Sequence, residues 1–132
     1  MKALVIPESG PLFEVELATA NGQLKQLQDL VHGDIEAVPL PDFILGAYQA
    51  TAYVNAEGKY SGDCKPNMRA TDFFVPGIGL FMGDYVAGPL VLCGFDDSTG
   101  DHAELPAPVV ARARLIEREA GDTPAQSETT NQ

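Results

Sequence analysis

The chain has 132 residues, 45% of them apolar, and 19 acidic against 8 basic side chains give it a formal charge of −11. That length suits one domain with a real core and is too short for two. So acidic a chain is poorly equipped to neutralise phosphates, so direct binding to DNA or RNA is not expected, and the same charge repels anionic membranes while favouring a basic patch on a partner protein.

Lys2 to Ile6 is an apolar, β-branched run stopped by Pro7, and Phe13 to Leu17 alternates apolar and acidic residues. With Glu8, Ser9, Gly10 and Pro11 as turn chemistry between them, the two predict an antiparallel hairpin. Asn21 is placed to cap a helix with Leu24, Leu27, Leu30 and Val31 at helical spacing, and Gly33 to take the left-handed conformation past its end. Ile35 to Val38 reads as a strand entering Pro39-Leu40-Pro41, where the prolines end any ladder. Tyr48 to Val54 reads as the next strand, with Asn55-Ala56-Glu57-Gly58 as a hairpin turn closed by a positive φ at Gly58, and Lys59-Tyr60 extended beyond it.

Pro66 suits the first position of a short helix over Met68 to Phe73. From Phe73 to Phe95 the chain is apolar enough to raise a membrane span, with Asp84 its only charge. Seven Gly and Pro residues interrupt it, so short strands are expected instead, at Tyr85 to Ala87 and, mid-sheet, at Leu90 to Phe95. After Glu104, Pro106 and Pro108 introduce a helix with a narrow stripe of Val109, Ala113, Ile116 and Ala120, ending at Gly121. The predicted organisation is an α+β domain over residues 1–105, a Pro-rich connector and helix over 106–121, and a disordered polar tail over 122–132. Its sheet is mainly antiparallel and twisted, with the first helix on one face and the second at an edge or on that same face. Leu4, Ile6, Leu24, Leu27, Leu30, Ile35, Val38, Val91 and Cys93 are the expected core. So small a C-terminal stripe must dock on the sheet or pair with a second copy, and the stiff prolines favour a homodimer.

Chemistry is sparse. Cys64 and Cys93 form no disulfide framework and have no zinc-ligand spacing, and no secretory leader pattern is present, so a cytoplasmic protein without a metal or cofactor is expected. His32 falls at a helix end, where the dipole favours an imidazolium. His102 lies beside Asp96, Asp97 and Asp101, but no register of that loop satisfies a calcium-binding pattern, and an acidic hairpin turn is the better reading. Gly77-Ile78-Gly79 lacks dinucleotide-loop spacing, and no nucleophile elbow occurs, so no enzyme is indicated. The candidate binding residues are Asn55, Glu57, Lys59, Asn67 and Arg69. If the turn and the short helix meet, Lys59 and Arg69 would form an anion site; otherwise Asn55 and Gly58 make the turn and Asn67 caps or buttresses the helix.

Five phrases in fixed order carry a resemblance: Met1-Lys2-Ala3-Leu4-Val5-Ile6-Pro7, Ile35-Glu36-Ala37-Val38-Pro39-Leu40, Tyr53-Val54-Asn55-Ala56-Glu57-Gly58-Lys59, Asn67-Met68-Arg69-Ala70-Thr71 and Gly88-Pro89-Leu90-Val91-Leu92-Cys93-Gly94. Over about Met1 to Leu105 the chain resembles a domain-of-unknown-function family of small proteins from actinobacterial phages and mobile elements. The resemblance implies a phage-type protein made inside a bacterial host. The resemblance, the acidic charge and the lack of a catalytic set lead to the expectation of a non-enzymatic accessory protein that binds a host protein and modulates host physiology or defence; two converging cations and a helix start lead to the alternative, a small-molecule or nucleotide sensor or sponge using Lys59 and Arg69.

Overall fold

Two apolar strands set the architecture. A computed structural model describes residues 1–18, 20–41, 44–58, 64–74, 85–96 and 98–128, with the backbone alone described for 20 and 118–128. The elements are β1 (Lys2–Ile6), β2 (Phe13–Glu16), α1 (Ala20–Val31), β3 (Ile35–Val38), a 3-10 turn (Ala47–Gln49), β4 (Ala50–Asn55), β5 (Pro66–Asn67), α2 (Met68–Phe73), β6 (Val86–Ala87), β7 (Leu90–Asp96), β8 (Asp101–Ala103) and α3 (Ala107–Glu128). The sheet runs β2-β1-β7-β4-β3, antiparallel at every described pairing, with β8 continuing from β7. This is the α+β fold expected, with β7 in the middle.

β1 and β7 are buried on both faces because helices cover both. Alternation sends Leu4, Ile6, Leu90 and Leu92 to one side and Ala3, Val5, Val91 and Cys93 to the other. The first set meets α2 through Ala70, Phe73 and Phe74 and α3 through Val109 and Ala113. The second meets α1 through Leu27 and Val31. The short helix therefore lies on the opposite face from α1, not at an edge or on the same face. Phe73 and Phe74, both fully buried, pull it there.

The inward row of α1 is Gln23, Leu27 and Val31, spaced i, i+4, i+8, rather than the row through Leu24. Leu24 consequently sits on the flank, 56% exposed, and Leu30, Ile35 and Val38 are only partly buried. Asn21 is not the cap, because the helix already begins at Ala20. The entry to α1 is held by its glutamines: Gln26 Oε1 accepts from Ala18 N at 2.7 Å, and Gln23 Nε2 donates to Ala18 O at 2.9 Å.

At the other end of α1 it is His32, with φ 70°, that takes the left-handed position. Gly33 N then donates back to Gln28 O at 2.9 Å, the six-to-one bond of a Schellman ending. Gly33 is needed for room instead: a Cβ there would lie 2.8 Å from Asn55 Nδ2.

α3 docks on its own chain. Val109 and Ala113 are buried, Arg112 Nε donates to Phe73 O at 2.8 Å with its guanidinium 5.5 Å from the Phe73 ring centre, and Glu117 Oε2 accepts from Leu12 N at 2.7 Å. The start of the stripe expected to be available for a second copy is thus used within the chain. The helix passes through Gly121 and the expected polar tail to Glu128, since elongation from a docked nucleus costs far less than starting a helix.

Candidate functional site

At the β3–β4 side of the sheet, the face that carries α1 is left partly open. Ala37 pairs with Tyr53 and Thr51 with Cys93, and Phe95 lies two residues along from Cys93, so Ala37, Thr51, Tyr53 and Phe95 all point to that face. Pro39 and Leu40, just after β3, and Ala47 and Tyr48, just before β4, come to the same place. The result is a groove of about 430 Å³ lined by these residues and Ala50. Leu45 and Tyr48, between β3 and β4, are 75% and 78% exposed.

Beside the groove runs a hydrogen-bonded chain across three elements. His102 Nε2 lies 3.0 Å from Tyr53 Oη, and its Nδ1 lies 2.9 Å from Gln23 Oε1. The Gln23 amide is oriented by its bond to Ala18 O, which leaves Oε1 to face the imidazole. Nδ1 must therefore carry the proton, and Nε2 accepts from the Tyr53 hydroxyl. Burial pushes the His102 pKa below its ordinary value, opposed in part by Asp101, and burial followed by the nearby Cys93 raises that of Tyr53. Both groups are held neutral near pH 7. The chain positions Tyr53 and adds no charge to the groove wall.

Of the residues singled out in the sequence, Asn55, Asn67 and Arg69 lie elsewhere, with side chains engaged with backbone. Asn55 Nδ2 donates to Val31 O at 3.0 Å, capping the end of α1, while its Oδ1 accepts from Glu57 N at 2.7 Å. Asn67 has no exposed surface: Nδ2 donates to Ile6 O at 2.8 Å and Gly88 O at 2.9 Å, and Oδ1 accepts from Ala70 N at 3.0 Å as the α2 cap. The cap is thus Asn67, and Pro66 belongs to the short ladder with β6 rather than to the helix. Arg69 Nη2 donates to Pro7 O at 2.8 Å. Glu57 is exposed, and Lys59, with the extended segment expected to follow, lies outside the described residues.

Gly58 is not a positive-φ residue; it is buried, and a Cβ on it would come within 3.1 Å of Ala87 O. That contact brings the Asn55–Gly58 turn against β6, whose partner strand holds Asn67. The Asn55–Gly58 turn and the start of α2 are therefore neighbours, joined through the backbone of β6. Asp96 Oδ1 accepts from Ser98 N and Oγ, making 96–101 the tight acidic hairpin expected. Among the described residues no group of three His, Cys, Asp or Glu side chains is placed to hold a metal ion, and no helix is long and apolar enough to cross a membrane.

The groove had no signal in the sequence as a site. Its residues read there as strand and turn, and the one available clue was a pair of large apolar residues, Leu45 and Tyr48, near Gly46 in a segment that follows Pro39 and Pro41.

The model of a family described as Domain of unknown function (DUF3846) matches residues 1–118. No curated protein and no solved structure matches the chain.

Proposed function

The matched span takes in every described strand and the docked part of α3, so the chain belongs to the DUF3846 family, and we propose that it is a non-enzymatic accessory protein of phage or mobile-element type. On this reading it works in the cytoplasm of a bacterial host, docking on a host protein to modulate physiology or defence. The observation that carries the docking is the open apolar groove with Tyr48 exposed in its wall, and Leu45, three residues earlier, exposed as well. Large apolar side chains grouped on the surface of a chain with a filled core mark a contact surface, and aromatic anchors carry most of the affinity of such contacts. A binding role also fits His102, whose two ring nitrogens are both engaged. The phage setting rests on the five sequence phrases.

Capture from a bacterial host lysate tests the docking, using the native chain, a Leu45→Glu, Tyr48→Glu pair, and Leu115→Glu as a control on α3. The expected result is a reproducible host protein retained by the native chain and by Leu115→Glu but lost by the groove pair. Equal retention by all three, or none at low and moderate salt, overturns the proposal.

A further inference from the structure

The groove's chemistry specifies what enters it. Three aromatic rings, Tyr48, Tyr53 and Phe95, line it together with small and aliphatic residues, and no Lys, Arg or His is among the described residues of the lining. The charged residues next to its lining in sequence are acidic: Asp34 and Glu36, beside and on β3, and Asp96, next to Phe95, are exposed, Glu36 and Asp96 by alternation on the other face of the sheet from Ala37 and Phe95. The chain as a whole carries −11. Aromatic faces attract ammonium and guanidinium groups, and the surrounding field raises the local concentration of cations and repels anions. The neutral state of His102 keeps positive charge from the groove wall.

The edge of the sheet supplies direction. β3 is paired with β4 on one side and, among the described strands, with none on the other. A strand added to that open edge places the side chain opposite Ala37 on the same face as Ala37, which is the groove side. Pro39, lacking an amide hydrogen, ends the ladder within the groove, whose lining continues through Leu40, Ala47 and Tyr48.

We propose that the occupant is an extended, cationic segment of a partner protein, which adds to the open edge of β3 and lays a lysine or arginine side chain across Tyr48, Tyr53 and Phe95. This rests on the reading of the groove as a protein-docking surface and names its partner's chemistry. A second copy of the chain is disfavoured, because pairing two β3 edges would set carboxylate against carboxylate and −11 against −11. Strand addition gives affinity through the main chain, and the inserted side chain gives specificity.

Amide-resolved NMR titration of the full chain tests this with four synthetic octapeptides of alternating valine and threonine, differing at one central position: lysine, arginine, norleucine or glutamate. The lysine and arginine peptides should bind about tenfold tighter than the norleucine one, the scale of one good cation–aromatic contact, and the glutamate peptide weakest. Shifts should fall on 35–38 and 48–53. Tyr48→Ala and Glu36→Lys, both at exposed positions, should each weaken the cationic peptides severalfold, while Tyr48→Phe retains binding.

Equal or tighter binding of norleucine on the same residues overturns the cationic chemistry and leaves protein docking standing. Shifts on 35–38 that grow with protein concentration alone assign the edge to a second copy and overturn the proposal. If no peptide binds while the Tyr48-dependent capture described above persists, strand addition fails alone; if capture fails as well, both readings fall.

Discussion

The two faces of the sheet are finished to different degrees. The face under α2 and α3 is closed: Phe73, Phe74, Leu90, Leu92 and Val109 have no exposed surface, and the one buried amide there, Asn67, uses both ends on backbone partners. The face under α1 is closed over Ala3, Val5, Val91 and Cys93; beyond them, over Thr51, Tyr53 and Phe95, it opens into the groove. Buried polar groups with every bond satisfied specify a single packing, whereas a half-covered apolar face leaves area for a partner. Stability and recognition are thus expected on opposite sides of one sheet.

The sharpest break would come at Asn67. Replacing Asn67 with Leu strands Ile6 O, Gly88 O and Ala70 N, and at about 1–3 kcal/mol for each buried group the loss should be roughly 3–9 kcal/mol. Urea unfolding measures it, and a loss under about 1 kcal/mol would mean that the closed face does not depend on that amide.

On the other face, Leu27→Ala should cost about 2–5 kcal/mol, against less than about 0.5 for Leu24→Ala. Equal costs would show that α1 is rotated from the row through Gln23, Leu27 and Val31.

A third, smaller effect is pH-dependent. The folded His102 pKa lies below its ordinary 6.5, so above that pH the imidazole is neutral in both states and its contribution is complete. As pH falls below 6.5 the unfolded chain takes up the proton first, and stability declines until the folded imidazole is also protonated. His102→Phe should therefore flatten the midpoint of unfolding between pH 7 and the folded pKa. Glu16 and Asp96, whose carboxyls are held low by hydrogen bonds to the N-terminal amine and to Ser98, lose their contribution only at more acidic pH. A native slope identical to that of the variant would separate His102 from the stability of this face.

The smallest test concerns Cys93, which burial pushes up to about 12. At pH 8 iodoacetamide should modify the partly exposed Cys64 and spare Cys93 until the protein unfolds. Early modification of Cys93 would mean that α1 lifts readily from the sheet.

Much of the fold is legible in the sequence because period and punctuation agree with it. The β1–β2 hairpin, α1, β3 stopped by Pro39, the buried β7 and the acidic hairpin at 96–101 all follow from local pattern. Rotation of α1 does not: Leu24 and Gln23 are neighbours, and only the position of the sheet decides which faces it. Gly33 and Gly58 show a second limit. A glycine signals either a positive φ or a close approach, and both serve the second purpose here, making room for Asn55 and Ala87. The role of Asn55 as the cap of α1 links residues 24 apart in the chain and has no local signature. For the site, the five polar residues stand out by composition, while the groove is made by which strands adjoin.

One consequence of the strand order concerns how the chain emerges during synthesis. β1 and β4 are not paired with each other; β7 joins them, pairing Val5 with Val91 and Tyr53 with Val91 across its two edges. Until residue 96 has left the ribosome, β2–β1 and β4–β3 exist as two separate hairpins, each with an apolar edge awaiting the same missing strand. At about 5–20 residues per second that interval lasts seconds, and non-local pairing of this kind is slow even when the whole chain is present. A newly made chain therefore passes through a period of exposed edges in which a chaperone, or an early encounter with its partner, has most to protect.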